Sequence, residues 1–113
     1  MESLTATLCL KALDGLSMRS IATSQNIANA STPSYRPVRV KFEEALAEAA
    51  RRGEAAVREV YPRLERADAH RESGTRLDLE LSTASATALR YSAVIEVLNR
   101  QLQIEAQAVT GSV

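Results

Sequence analysis

Few residues in this chain could do covalent or acid–base chemistry: one cysteine, Cys9, one histidine, His70, and a closely spaced pair of carboxylates, Asp78 and Glu80. A cysteine nucleophile needs a base within hydrogen-bond reach, and His70 stands in a strongly charged stretch remote from Cys9 in sequence. Cys9 falls on an apolar helical stripe and reads as a small packing residue, while His70 reads as solvated. Asp78 and Glu80 lie near the start of a helical pattern, where capping and the macrodipole account for acidic side chains without catalysis. The four glycines form neither a phosphate loop nor a dinucleotide fingerprint, and no zinc spacing is present. Arg51-Arg52 is balanced by Glu48 and Glu54 and reads as a solvated helix face. The expectation is a chain that is not an enzyme, with no catalytic, cofactor-binding or metal-binding residues and no small-molecule substrate.

At 113 residues the chain fits one small domain whose own core is marginal, because so small a domain buries a limited fraction of its unfolded surface. Fourteen basic residues cancel fourteen acidic ones. No global field therefore draws in nucleic acid or an anionic membrane, and neither is expected as a partner. The single cysteine excludes an intramolecular disulfide. The start Met1-Glu2-Ser3, with Lys11 and Asp14 inside the apolar pattern, predicts no cleaved signal peptide. No uncharged apolar run approaches the ~20 residues that cross a bilayer.

The charges are unevenly placed, and most fall within residues 36–76. Residues 1–33 carry only Glu2, Lys11, Asp14 and Arg19; residues 81–113 carry only Arg90, Glu96, Arg100 and Glu105. In the first segment Ala6, Cys9, Leu13, Leu16, Ser20, Thr23, Ile27 and Ala30 alternate spacings of three and four, the stripe of a helix that packs as in a coiled coil. Pro33 disfavours the α conformation at Thr32, so this helix is expected to stop at about 29–31, with Asn29 capping its end. In the last segment the same spacing joins Leu81, Ala84, Ala88, Tyr91, Ile95, Leu98 and Leu102, and after a break Val109. Thr75 and Asp78 have capping-box spacing, Ser82 is a second possible cap, and Gly111 suits the position past the end. A helix start before Leu81 competes with a short extended lead-in over Leu77–Leu81, and the helix is preferred. Between them Phe42 to Arg52 predicts a short third helix ended by Gly53, Val57 to Tyr61 a short strand, and Ser73-Gly74 a turn.

The fold expected is mainly α: long N- and C-terminal helices packed as an antiparallel coiled-coil hairpin around a charged, partly irregular, solvent-facing insert. One domain covers 1–113, with the first helix in 1–31, the turn and insert in 32–76 and the last helix in 77–113. Both helices lack the charged face that a helix meeting water normally carries. Their remaining positions are mostly Ser, Thr, Asn, Gln and Ala, which hydrogen-bond across an interface without the desolvation cost of ions. That pattern points to an assembly subunit surrounded by other copies or partners. The alternative is a small helical-hairpin adaptor or export chaperone that holds a partner helix in a groove.

One stretch is more specific. Ser24-Gln25-Asn26-Ile27-Ala28-Asn29-Ala30-Ser31-Thr32-Pro33-Ser34-Tyr35 resembles the N-terminal signature of bacterial flagellar basal-body rod and hook proteins, in which Asn-Ile-Ala-Asn leads into Thr-Pro-Gly-Tyr. Asn26, Ile27, Ala28, Asn29, Thr32, Pro33 and Tyr35 match, and Ser34 departs where that family has glycine. Phe42, seven residues after Tyr35, and the acidic run that follows are similar to proximal rod proteins of the FlgB type, as is Leu77-Asp78-Leu79-Glu80 leading into the last helix. The resemblance implies a structural subunit exported unfolded through the flagellar type III apparatus without a cleaved signal, then polymerised in the periplasm into the basal-body rod. It implies as partners other rod proteins, copies of the same chain, the export gate and membrane-ring components. Leu13, Leu16, Ile27, Tyr91, Ile95, Leu98 and Leu102 are expected to form the two-helix seam. Asn26 and Asn29, one turn apart, divide between capping the helix and bonding a neighbour's backbone, or cap only.

Overall fold

The structure, a computed structural model, describes residues 3–68 and 76–111. Helix α1 spans Leu4–Ala28 and helix α4 spans Leu77–Gly111. Between them lie strand β1 (Val38–Lys41), helix α2 (Glu43–Arg52), helix α3 (Glu54–Arg58) and strand β2 (Arg63–Arg66). The two long helices pack against each other over most of the length of α1. They run antiparallel, because Asn26 at one end of α1 meets Glu80 while Ser3 at the other meets Gln101. The 35 residues of α4 stretch the molecule to 64 × 25 × 14 Å, with a radius of gyration of 17.5 Å against about 13 Å for a compact domain of this size.

Local chemistry sets the ends of α1. Ser3 caps its start by accepting from the Ala6 N–H at 3.0 Å, one of the donors a first turn leaves unpaired. At its end Asn29 is the cap residue, and its Nδ2 donates to the Gln25 carbonyl at 2.9 Å. The helix stops one residue before the expected 29–31. A turn follows, closed by Tyr35 N–H donating to Thr32 O at 3.2 Å, with Pro33 at its second position and Ser34 at its third. Ser34 has φ +63°, the conformation a type II turn demands there and glycine adopts without penalty. Replacing Ser34 with glycine should therefore raise stability by roughly 0.5–1 kcal/mol, the αL cost being partly offset by glycine's greater unfolded-state freedom. A higher chemical-denaturation midpoint at unchanged m-value is the expected reading.

The middle differs from the expectation of a solvent-facing insert, because its apolar residues make most of the core. Val38, Val40, Phe42, Leu46, Ala49 and Val57 pack against Leu16 and Ala22 of α1. Charged side chains cover the outer faces of the same short elements, so a charge count alone hides a buried face. The strand expected at Val57–Tyr61 is not formed; Val57 and Arg58 belong to α3, and Val57 is fully buried in the core. The strands are instead β1 and β2, an antiparallel ribbon in which Val38, Arg39, Val40 and Lys41 face Arg66, Glu65, Leu64 and Arg63. The helix preferred over an extended lead-in begins at Leu77, Ser82 lies inside it, and Gly111 is its last residue. The Thr75 cap, the Ser73-Gly74 turn and His70 lie outside the described residues.

The seam coincides only in part with the one expected. Leu16 is buried, and Leu13, Ile27 and Leu98 are half-buried, but Tyr91, Ile95 and Leu102 are exposed, Leu102 by 49%. The residues that α4 turns inward are Glu80, Thr83, Ala84, Thr87, Val94, Leu98, Gln101 and Glu105, of which only Glu80 and Thr87 are fully buried. Glu80 and Leu98, five turns apart, share one phase of α4; Ile95 and Leu102 lie at the edge of that face and Leu81 farther round.

Candidate functional site

Asn26 and Glu80, each 1% exposed, form the centre of a polar cluster that joins α1, β1 and α4. Asn26 Oδ1 accepts from the Val38 N–H at 2.9 Å and from the Tyr35 hydroxyl at 2.8 Å. Its Nδ2 donates to the Val38 carbonyl at 2.9 Å and to Glu80 Oε2 at 3.1 Å. All four hydrogen-bonding positions of the amide are filled. Glu80 Oε1 in turn accepts from Arg39 Nη1 at 2.7 Å, so the buried carboxylate has both a neutral and a charged donor.

Two turns earlier on α1, Arg19 does for Val40 what Asn26 does for Val38. Its Nη2 donates to the Val40 carbonyl at 2.7 Å, its two amino groups grip Glu43 at 2.6 and 2.7 Å, and its guanidinium lies 4.9 Å from the Phe42 ring centre. The Arg19 hydrogen bonds hold the Glu43 carboxyl below the usual range. With β2 on one edge of β1, these α1 side chains take the place of a third strand on the other. Asn29, by contrast, bonds only locally, and the backbone that Asn26 bonds is that of Val38 in the same chain.

The remaining motif residues lie around this cluster. Ile27 is half-buried, Ala28, Thr32 and Pro33 are exposed, and Tyr35 reaches back from the turn to Asn26. Phe42 is buried with its ring directly over Gly15. The structure thus brings Asn26, Tyr35 and Glu80 together with Arg39; sequence reasoning marked Glu80 only as a carboxylate near a helix start and did not single out Arg39. No sequence signal paired Glu80 with Asn26, since neither spacing nor charge count couples residues so far apart.

Asp78 and Glu80 do not act as a carboxylate pair: Asp78 is exposed beside Arg76, which holds its carboxyl below the usual range, while Glu80 points into the α1–β1 junction. Burial pushes the Cys9 thiol up, away from the reactive thiolate. Among the described residues no group of three His, Cys, Asp or Glu side chains could hold a metal ion, and no helix is long and apolar enough to cross a membrane. A cleft of about 690 Å³ opens between the ribbon and α1, lined by Arg19, Thr23, Arg39, Lys41, Tyr61 and Thr83 among others, with cations and carboxylates interleaved.

The larger feature is the outer side of α4. Leu81, Ala88, Ile95, Leu102 and Val109 recur at seven-residue intervals, and all are exposed. Leu77 and Leu89 are exposed too, Leu89 by 73%, while Val97 and Ile104, each two residues on from a stripe residue, are exposed on the opposite side of the helix. A seven-residue repeat keeps a stripe facing one partner along a supercoiled helix. No family model, curated protein or solved structure matches the chain.

Proposed function

We propose that this chain is a structural assembly subunit of the kind that builds the proximal rod of the bacterial flagellar basal body, and that it is not an enzyme. The observation that carries the reading is α4: a 35-residue helix whose fully buried residues are a glutamate and a threonine, while Leu77, Leu79, Leu81, Leu89 and Leu102 are exposed. Large apolar side chains exposed at so many positions along one helix support a surface covered by protein in the working state. The Asn26-to-Tyr35 signature adds the flagellar resemblance. On this reading the partners are copies of the chain, other rod proteins, the export gate and the membrane ring, and the site of action is the periplasmic basal body. The second reading, a helical-hairpin adaptor or export chaperone holding a partner helix, is favoured by the packing of α1 on α4 within a single chain.

Sedimentation velocity over a wide concentration range separates the two. Wild-type protein should associate reversibly as concentration rises. Leu102→Asp should abolish association while leaving the thermal transition in place, because Leu102 faces outward. Leu98→Asp, on the inner side, should cost the fold itself. A monomer at every concentration would remove the assembly reading and leave the adaptor.

A further inference from the structure

The Ala67 N–H donates to the Pro37 carbonyl at 2.8 Å, one step beyond the paired residues of the ribbon, and hydrogen-bonded pairs alternate along an antiparallel ladder. Arg39–Glu65 and Lys41–Arg63 are therefore the bonded pairs, and Val38, Val40, Leu64 and Arg66 turn their N–H and carbonyl groups to the two outer edges. On β1 that edge is covered: the Asn26 amide bonds both groups of Val38, and Arg19 bonds the Val40 carbonyl. On β2 it is open. Among the described residues no hydrogen bond from outside the ribbon reaches the main chain of Leu64 or Arg66. The side chains along this edge are also unmatched. Leu64 stands directly opposite the buried Val40 and on the same face, yet it is 59% exposed. Arg66, next on that face, donates from Nη1 to the Arg36 carbonyl at 3.1 Å, and neither arginine has an ion-pair partner among the described residues.

We propose that the open edge of β2 accepts an extended acidic segment of a partner protein as an antiparallel third strand, with an acidic residue facing Arg66 and an apolar residue two positions later facing Leu64. Main-chain bonds to Leu64 and Arg66 supply the attraction, and the period-two spacing of acid and apolar side chain supplies the selectivity. The apolar residue would extend the row that Val40 and Leu64 begin, and the acid would compensate the cationic end that Arg66 shares with Arg36. Pro62, the next residue in the outward phase, has no N–H, so the row of donors ends at Leu64. The inference goes beyond the assembly reading and does not depend on it, since it uses no residue of α4.

Titrating a capped hexapeptide into the isotope-labelled full-length chain tests this; the peptide is all threonine except for glutamate at its second position and valine at its fourth. Backbone amide signals of residues 62–67 should shift and saturate by about 1 mM peptide. N-methylating the valine amide, whose N–H faces Leu64, should abolish binding, whereas N-methylating the threonine before it, whose N–H points away from β2, should change affinity by less than about twofold. Arg66→Glu, with unchanged circular dichroism, should weaken binding about tenfold or more, and a peptide with lysine in place of its glutamate should bind that variant better than it binds wild type. No shift at residues 62–67, or equal loss from both N-methylated peptides, would overturn the third strand. Shifts at these residues that grow with the concentration of the chain alone and are unmoved by peptide would give the edge to a second copy and overturn the acidic partner. Peptide binding that persists in Leu102→Asp keeps this inference apart from the fate of α4-driven assembly.

Discussion

Asn26→Ala should lower the free energy of unfolding by about 3–5 kcal/mol, the range found when one member of a buried charged network is removed. Deleting the amide leaves the Val38 N–H and carbonyl, the Tyr35 hydroxyl and Glu80 Oε2 without the partner each has at 2.8–3.1 Å. An orphaned buried polar group costs on the order of 1–3 kcal/mol, and water entering the vacated space would restore only part of that. Small domains hold about 5–15 kcal/mol in all, so the variant should be close to unfolding at 37 °C. Urea denaturation followed by circular dichroism measures the loss.

A second substitution at the same site separates hydrogen bonding from volume. Asn26→Asp keeps the shape and both acceptor contacts but loses the two donors and sets a carboxylate beside Glu80. It should be about as damaging as alanine near neutral pH and recover in part as the pH falls and the introduced carboxyl binds a proton, donating to Glu80 Oε2 as Nδ2 did while the Val38 carbonyl stays without its donor. If alanine cost less than about 1 kcal/mol, the cluster would not hold α4 to the body.

Asn26 also shows how far the sequence could be read. Its place in a helix that ends near Pro33 followed from spacing and backbone sterics, as did the long last helix and the cap at Asn29, because these depend on neighbours a few residues apart. The ribbon did not follow: Val38 to Lys41 alternates over too few residues to stand apart from its surroundings, and its partner Arg63 to Arg66 has no inward side chain, every residue being exposed. The α4 seam was misread for a related reason. A heptad stripe of Leu81, Ile95 and Leu102 normally identifies the buried face, and the rule assumes that a helix has one partner. Here a glutamate takes part of the intramolecular face, paired with Asn26 54 positions away and Arg39 41 positions away, and Leu81, Ile95 and Leu102 of the apolar stripe stay exposed. The same features that defeat a single-chain reading are those on which the assembly proposal stands.

Gly15→Ala sets two physical effects against each other with opposite sign. Gly15 lies in the middle of α1, where alanine is favoured over glycine by about 1 kcal/mol, so propensity alone predicts a more stable protein. Packing predicts the reverse. A Cβ at Gly15 would stand 2.5 Å from Cδ1 and 2.6 Å from Cε1 of Phe42, well inside van der Waals contact. The ring has little freedom to retreat: it is 5% exposed, lies in the cluster with Val38, Val40 and Leu46, and has the Arg19 guanidinium over it. Overpacking of this kind costs about 1–3 kcal/mol, and moving the ring also disturbs the Arg19 bonds to Glu43 and Val40. The net expectation is a loss of about 1–2 kcal/mol. Phe42→Leu should destabilise by itself by leaving a cavity, yet in the Gly15→Ala background it should cost less, with a coupling of at least about 0.5 kcal/mol in a double-mutant cycle. A gain in stability from Gly15→Ala, with no coupling to Phe42, would mean that α1 and the start of α2 are not in the close contact on which the position of β1, and with it the Asn26–Glu80 junction, depends.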